Sequence, residues 1–237
     1  MAESQKAKFG EQALNKIAEV ALTSQLKQVE KLAVKIETDL SKLAHGEVDS
    51  INININGLLM QPDLILSELQ LQINQVIVKP FSAILGKIKL TQPSTGTIRV
   101  VLNEGDLNRA FNSESFCANL LEGKQVKINL QQVNCHLLAD GKIAFKSELI
   151  LTNTTELVAF TIVPRIGNDG REILLQDVDY LEGEAPELTA ALIAHLGEIL
   201  NLGVLKQKGM SLQFQQLDVM SGKLILQAAA YIEQFPS

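Results

Sequence analysis

From Glu11 to Leu43 the apolar residues Leu14, Ile17, Ala18, Ala21, Leu22, Leu26, Val29, Leu32, Ala33, Ile36, Leu40 and Leu43 recur at steps of three and four. That spacing puts them on one side of a helix, so the chain is expected to open with a long amphipathic helix over 1–46, stopped by Gly46. Its other side mixes Lys with Glu and Asp, the composition of a solvated surface. Beyond Gly46 the period falls to two. Ile51, Ile53 and Ile55 alternate with Asn52, Asn54 and Asn56, and Gly57 suggests a turn. Such a strand has one oily face and one amide face. The same alternation returns at Leu69, Leu71 and Ile73 against Gln70, Gln72 and Asn74, within a strand expected over 64–78.

Shorter strands are expected at 87–90 and 97–102, joined by a turn over Pro93, Ser94, Thr95 and Gly96. Asn103, with Glu104 and Asp106 behind it, is placed to cap a helix running to about 121. Strands then resume at 125–138 and 143–152 around Ala139-Asp140-Gly141-Lys142, and at 156–164 and 171–181 around Gly167-Asn168-Asp169-Gly170. Pro186 opens a second helix to about Leu202, and two last strands, 211–219 and 223–232, meet at Ser221-Gly222. This order predicts an α+β fold built on an antiparallel sheet. It lacks the strand-helix alternation of a doubly wound nucleotide-binding fold. No linker rich in Pro, Gly or Ser divides the chain, so one domain over 1–237 is expected, with the helix at 1–46, the sheet over 47–237, and helices within it near 103–121 and 186–202.

Composition narrows the function. Apolar residues make up 46% of the chain but aromatic ones only 4%, with no Trp, so the oily surface is aliphatic. Recognition of sugars, nucleobases or single strands by stacking is disfavoured. A net charge of -6 makes nucleic acid an improbable partner. Cys117 and Cys135 have no spacing that demands a bridge, which fits a reducing compartment. The charged N-terminal stretch shows no signal peptide, and no window holds the ~18 apolar residues of a membrane span. A cytoplasmic protein, peripheral to membranes, is the expectation.

Candidate chemistry is sparse. His45, His136 and His195 are far apart, and Cys135 and His136 would face opposite sides of a strand, so no metal site is expected. There is no nucleophile elbow and no phosphate-cradling loop, and the carboxylates between Glu182 and Glu187 sit where a helix N-terminus favours them. No catalytic residues and no cofactor are expected. One charge pattern stands out: no acidic residue occurs between Glu68 and Glu104, whereas Lys79, Lys87, Lys89 and Arg99 do. Inside that stretch KPFSAILGK places Phe81, Ala83, Ile84 and Leu85 between Lys79 and Lys87, a composition suited to a headgroup boundary.

The segments DLILSELQLQINQVIVKPFSAILGKIKLTQP and VVLNEGDLNRAFNS resemble the cyanobacterial branch of the LmeA-like phospholipid-binding family. The similarity extends over most of 45–235 and is most specific at Lys79–Lys89 and Leu102–Asn112. The resemblance implies a tubular lipid-binding (TULIP) architecture: a strongly curved antiparallel sheet wrapped around a long helix and a second helix, with an apolar groove between them. It further implies a ligand, a phospholipid or fatty acid, whose buried methylenes contribute about 0.8 kcal/mol each. Groove-lining positions would be Ile17, Leu22, Val29, Ile51, Ile53, Ile55, Leu69, Leu71, Ile73, Leu192, Leu196 and Ile199. Transient docking on an anionic membrane would use Lys79, Phe81, Ile84, Leu85, Lys87, Lys89 and Arg99. A competing expectation is a scaffold whose groove accepts a partner helix, or whose long helix pairs with its copy in a homodimer.

Overall fold

The computed structural model describes residues 2–61, 64–77, 90–116, 129–130, 132–151, 154–206 and 210–233. In chain order the elements are α1 (Ala2–Gln25), β1 (Lys31–Glu37), α2 (Leu40–Ala44), β2 (Glu47–Gln61), β3 (Leu64–Ile77), β4 (Ser94–Asn103), α3 (Glu104–Phe111), β5 (Asn129–Leu130), β6 (Asn134–Leu137), β7 (Ile143–Leu151), β8 (Thr154–Ile166), β9 (Ile173–Glu182), α4 (Pro186–Leu200), α5 (Gly203–Lys206), β10 (Met210–Met220) and β11 (Lys223–Ile232). The strands form two antiparallel sheets. One has six strands in the order β1-β2-β3-β4-β11-β10; the other has five, β5-β7-β8-β9 with β6 also paired to β7.

The first 46 residues depart from the single helix that their spacing suggests. The helix α1 ends at Gln25, and 31–37 form a strand. Leu32 and Ile36 fit a period of two as well as one of four, and Val34 between them fits only the period of two. Pairing Leu32 with Ile55, Val34 with Ile53 and Ile36 with Ile51 extends the oily face of β2 by one strand. The stiff Val34 and Ile36 side chains suit that pleated setting better than a helix. α1 then packs chiefly against β1, at the rim of the sheet, leaving Ile17 and Val20 exposed.

Two turn expectations also change. Gly57 does not end β2, which continues to Gln61; it sits inside the strand at φ +61, where a Cβ would come within 2.3 Å of Glu30 Cγ. Glycine marks a kink here as readily as it would mark a turn. Both edges of β4 are occupied, by β3 and β11, so 97–102 do not pair with 87–90, of which all but Leu90 lies outside the described residues. The hairpins β6–β7, β8–β9 and β10–β11 form as the turn residues predict.

The inward faces of both sheets, with α3 and α4, contribute to one apolar cluster. α3 is the joint between the sheets. Its N-terminus is closed by reciprocal bonds: Asp106 N–H donates to Asn103 Oδ1 at 2.8 Å, and Asn103 N–H donates to Asp106 Oδ2 at 3.3 Å. The buried Asp106 also accepts from the Ser67 hydroxyl on β3. One turn further along, Asn108 Oδ1 accepts from Cys135 N–H at 2.7 Å while its Nδ2 donates to Cys135 O at 3.1 Å. Asn112 treats Val133 in the same way, at 2.8 Å for each bond.

Candidate functional site

The expected groove positions separate by location. Ile53, Ile55, Leu69, Leu71 and Ile73 on the six-stranded sheet are buried, as are Leu192, Leu196 and Ile199 on α4. All eight belong to one cluster of buried residues. Leu22, Val29 and Ile51 are half-buried, and Ile17 is 67% exposed. The half-buried three lie along the margin formed by α1, β1 and β2. Leu26, Leu32 and Ile36 are half-buried there too, each packed against the core from one side.

At this margin the oily face of the sheet ends beside α1, which packs against β1. Ile36 N–H donates to Asn15 Oδ1 at 2.8 Å, and Val34 N–H donates to Glu19 Oε1 at 3.2 Å. Lys16 hydrogen-bonds the same carboxylate at 3.1 Å and, together with the Val34 amide, keeps the Glu19 carboxyl below its ordinary pKa. Among the described side chains, α1 thus meets β1 through two side-chain bonds, beside aliphatic packing through Ala18 and Leu22.

Of the expected headgroup positions, Lys79, Phe81, Ile84, Leu85, Lys87 and Lys89 lie outside the described residues. Arg99 lies on the amide face of β4, away from the core, with Nη1 3.1 Å from Glu68 Oε2. Cys135 and His136 do face opposite ways. Cys135 is buried, and burial followed by the Glu104 charge pushes its thiol far above the ordinary range. His136 Nδ1 is 2.9 Å from Glu104 Oε2 at the surface. Among the described residues no group of three or more His, Cys, Asp or Glu is arranged to hold a metal ion.

Two features were not picked out from the sequence. One is an aromatic cluster in which His195 stacks on Phe116 at 4.6 Å and meets Phe111 edge-on at 5.4 Å, with Phe111 in turn 5.0 Å from Phe145. Burial lowers the His195 pKa, and Glu198, 3.8 Å away, opposes that shift. The other is the buried Thr189 hydroxyl, which has no hydrogen-bond partner among the described residues. Neither could be found without knowing which elements pack together.

The interior is therefore mainly aliphatic around one aromatic cluster, with half-buried aliphatic residues along one margin. The family model of the LmeA-like phospholipid-binding proteins matches residues 6–229. The chain belongs to that family. No curated protein and no solved structure matches it significantly. For this LmeA-like chain, membership points to lipid as the ligand class and to binding in place of catalysis. No helix among the described residues is long and apolar enough to cross a membrane.

Proposed function

We propose that this LmeA-like protein holds the acyl chains of a phospholipid at the margin between α1, β1 and β2, and docks transiently on an anionic membrane to load and release it. The gradient of burial supports the reading best: Ile53 and Ile55 are sealed, whereas Ile51, Val29 and Leu22 are half-buried at the rim. An acyl chain needs no directional partner, so aliphatic residues that the protein leaves half-covered are sufficient to hold it. Docking would draw on the acid-free stretch with Lys79, Lys87 and Lys89, whose sequence pairs cations with Phe81, Ile84 and Leu85.

The test is photocrosslinking. The full chain is incubated with a phospholipid carrying a photoreactive group near the acyl terminus, and the labelled peptides are mapped. Labels are expected within 18–36 and around Ile51. Labels confined to other parts of the chain, or no labelling above a soluble control, would reject the margin as the site. For docking, Lys79→Glu with Lys87→Glu should reduce flotation with anionic vesicles about tenfold or more, because each cation near such a surface is worth about 1 kcal/mol. Unchanged flotation would remove that part of the proposal.

A further inference from the structure

Asn15 and Glu19 of α1 turn their polar groups to the amides of β1, and much of what the helix presents to solvent is aliphatic. Ile17 is 67% and Val20 61% exposed, and Ala13 and Ala21 are exposed beside them. At about 100° per residue, Ala13, Ile17, Val20 and Ser24 fall within about 60° of one another. The hydroxyls near this face are already satisfied. Thr23 Oγ1 donates to Glu19 O and Ser24 Oγ to Ala21 O, each at 2.7 Å, so neither would lose a partner on leaving water. The charges are one-sided. Between Glu11 and Glu30 the single acid is Glu19, held against the Val34 amide, whereas Lys16 and Lys27 are exposed. Lys16 reaches Glu19 yet keeps 76% of its side chain in solvent. On a chain of net charge -6, this is a patch of aliphatic residues edged by cations, with no carboxylate turned outward between Glu11 and Glu30.

We propose that this outward face of α1 inserts into the boundary between headgroups and acyl chains of an anionic membrane. Aliphatic side chains flanked by lysines match that boundary in both polarity and charge. The face also runs on into the lipid margin. Going round the helix, exposed Ile17 and Ala21 are followed by half-buried Leu14, then by Ala18 and Leu22, which pack against the core. A bilayer seated on Ile17 and Val20 would therefore meet the margin along one aliphatic arc, a consequence that rests on the lipid site proposed above. A second copy of the chain is a poorer occupant. Ile17, Val20 and two alanines fall well short of the ~800 Å² per partner that a stable interface buries.

The chain contains no Trp, so Ile17→Trp supplies a single fluorophore on this face, and Asn54→Trp supplies one on the exposed amide face of β2 as a control. With vesicles of phosphatidylcholine and phosphatidylglycerol, the Ile17→Trp protein is expected to emit at shorter wavelength and to be quenched by lipids brominated along the acyl chain. The Asn54→Trp protein should show neither effect. Ile17→Gln with Val20→Gln, which keeps good helix formers at exposed positions, should weaken flotation with these vesicles at least tenfold at an unchanged thermal midpoint. Uptake of a short-chain phospholipid below its micelle concentration separates this face from the margin: the double variant should take it up as the unaltered protein does. Absence of the spectral shift and quenching, or unchanged flotation of the double variant, would overturn the proposal whether or not the margin takes up lipid. So would a sedimentation mass of two chains without vesicles that returns to one in the double variant, because a second copy would then cover the face.

Discussion

Asp106 and Thr189 are both buried polar residues with opposite provisions. The Asp106 carboxylate accepts from Ser67, from the Asn103 amide and from the Arg109 guanidinium, which is 3.4 Å away. The Thr189 hydroxyl accepts from and donates to nothing among the described residues. Burying an unpaired hydroxyl is unfavourable, so Thr189→Val, of nearly the same shape, should stabilise the fold by about 1 kcal/mol. A rise in the urea midpoint at constant slope would show it. His195 carries the pH dependence. Its folded-state pKa is lowered by burial, so the folded state prefers the neutral ring. Its stabilising contribution is complete above the unfolded value of 6.5 and is lost as the pH falls below that toward the folded value. Urea midpoints should therefore drop in mild acid, and His195→Phe should flatten that slope. A slope equally steep in the variant would assign the dependence to other groups.

Helices guard the strand edges of this molecule by one repeated device. Four residues along a helix advance about 6 Å, nearly the ~6.6 Å of two residues along a strand. Asn108 and Asn112 thus meet Cys135 and Val133, and Asn15 and Glu19 meet Ile36 and Val34. Beyond α4, Asn201 does the same for Ile173 on β9, and the Phe214 amide of β10 donates to Gly170 O at 2.7 Å. Asn112→Ala should cost about 1–2 kcal/mol, since both groups of Val133 lose their partner. Hydrogen exchange should speed at Val133 more than at Cys135; equal protection would argue against the device. Little of this was legible beforehand. The alternation at Ile51, Ile53 and Ile55, the capping residue Asn103 and the turn at Ser221-Gly222 act locally, so they could be read from spacing. The stretch 26–37 could not, because Leu32 and Ile36 serve both periods and only pairing with β2 decides between them. Edge guarding links residues 27 positions apart, as in Asn108 with Cys135, and leaves no periodic trace.

At the scale of the whole molecule, the proposed lipid site predicts how ligand and stability are coupled. A lipid held at the rim of the folded state alone would add about 2.7 kcal/mol at a free concentration one hundred times its dissociation constant. The thermal midpoint should accordingly rise with phospholipid and fall after extraction with detergent, and a midpoint indifferent to both would count against the rim. The division into two sheets was not legible in the sequence, since it rests on β4 choosing β3 and β11 as neighbours across long separations. The alternation at Ile53, Ile55, Leu69, Leu71 and Ile73 could be read as one buried face of the sheet, but a pattern does not say which edges of that face the rest of the chain covers. The attachment of α1 has a practical corollary. A chain shortened to begin after Gln25 would lose Asn15 and Glu19 together, leaving the Val34 and Ile36 amides bare beside an aliphatic strip. Such a product should pair edge to edge more readily than the full chain, which light scattering of the two at equal concentration would show.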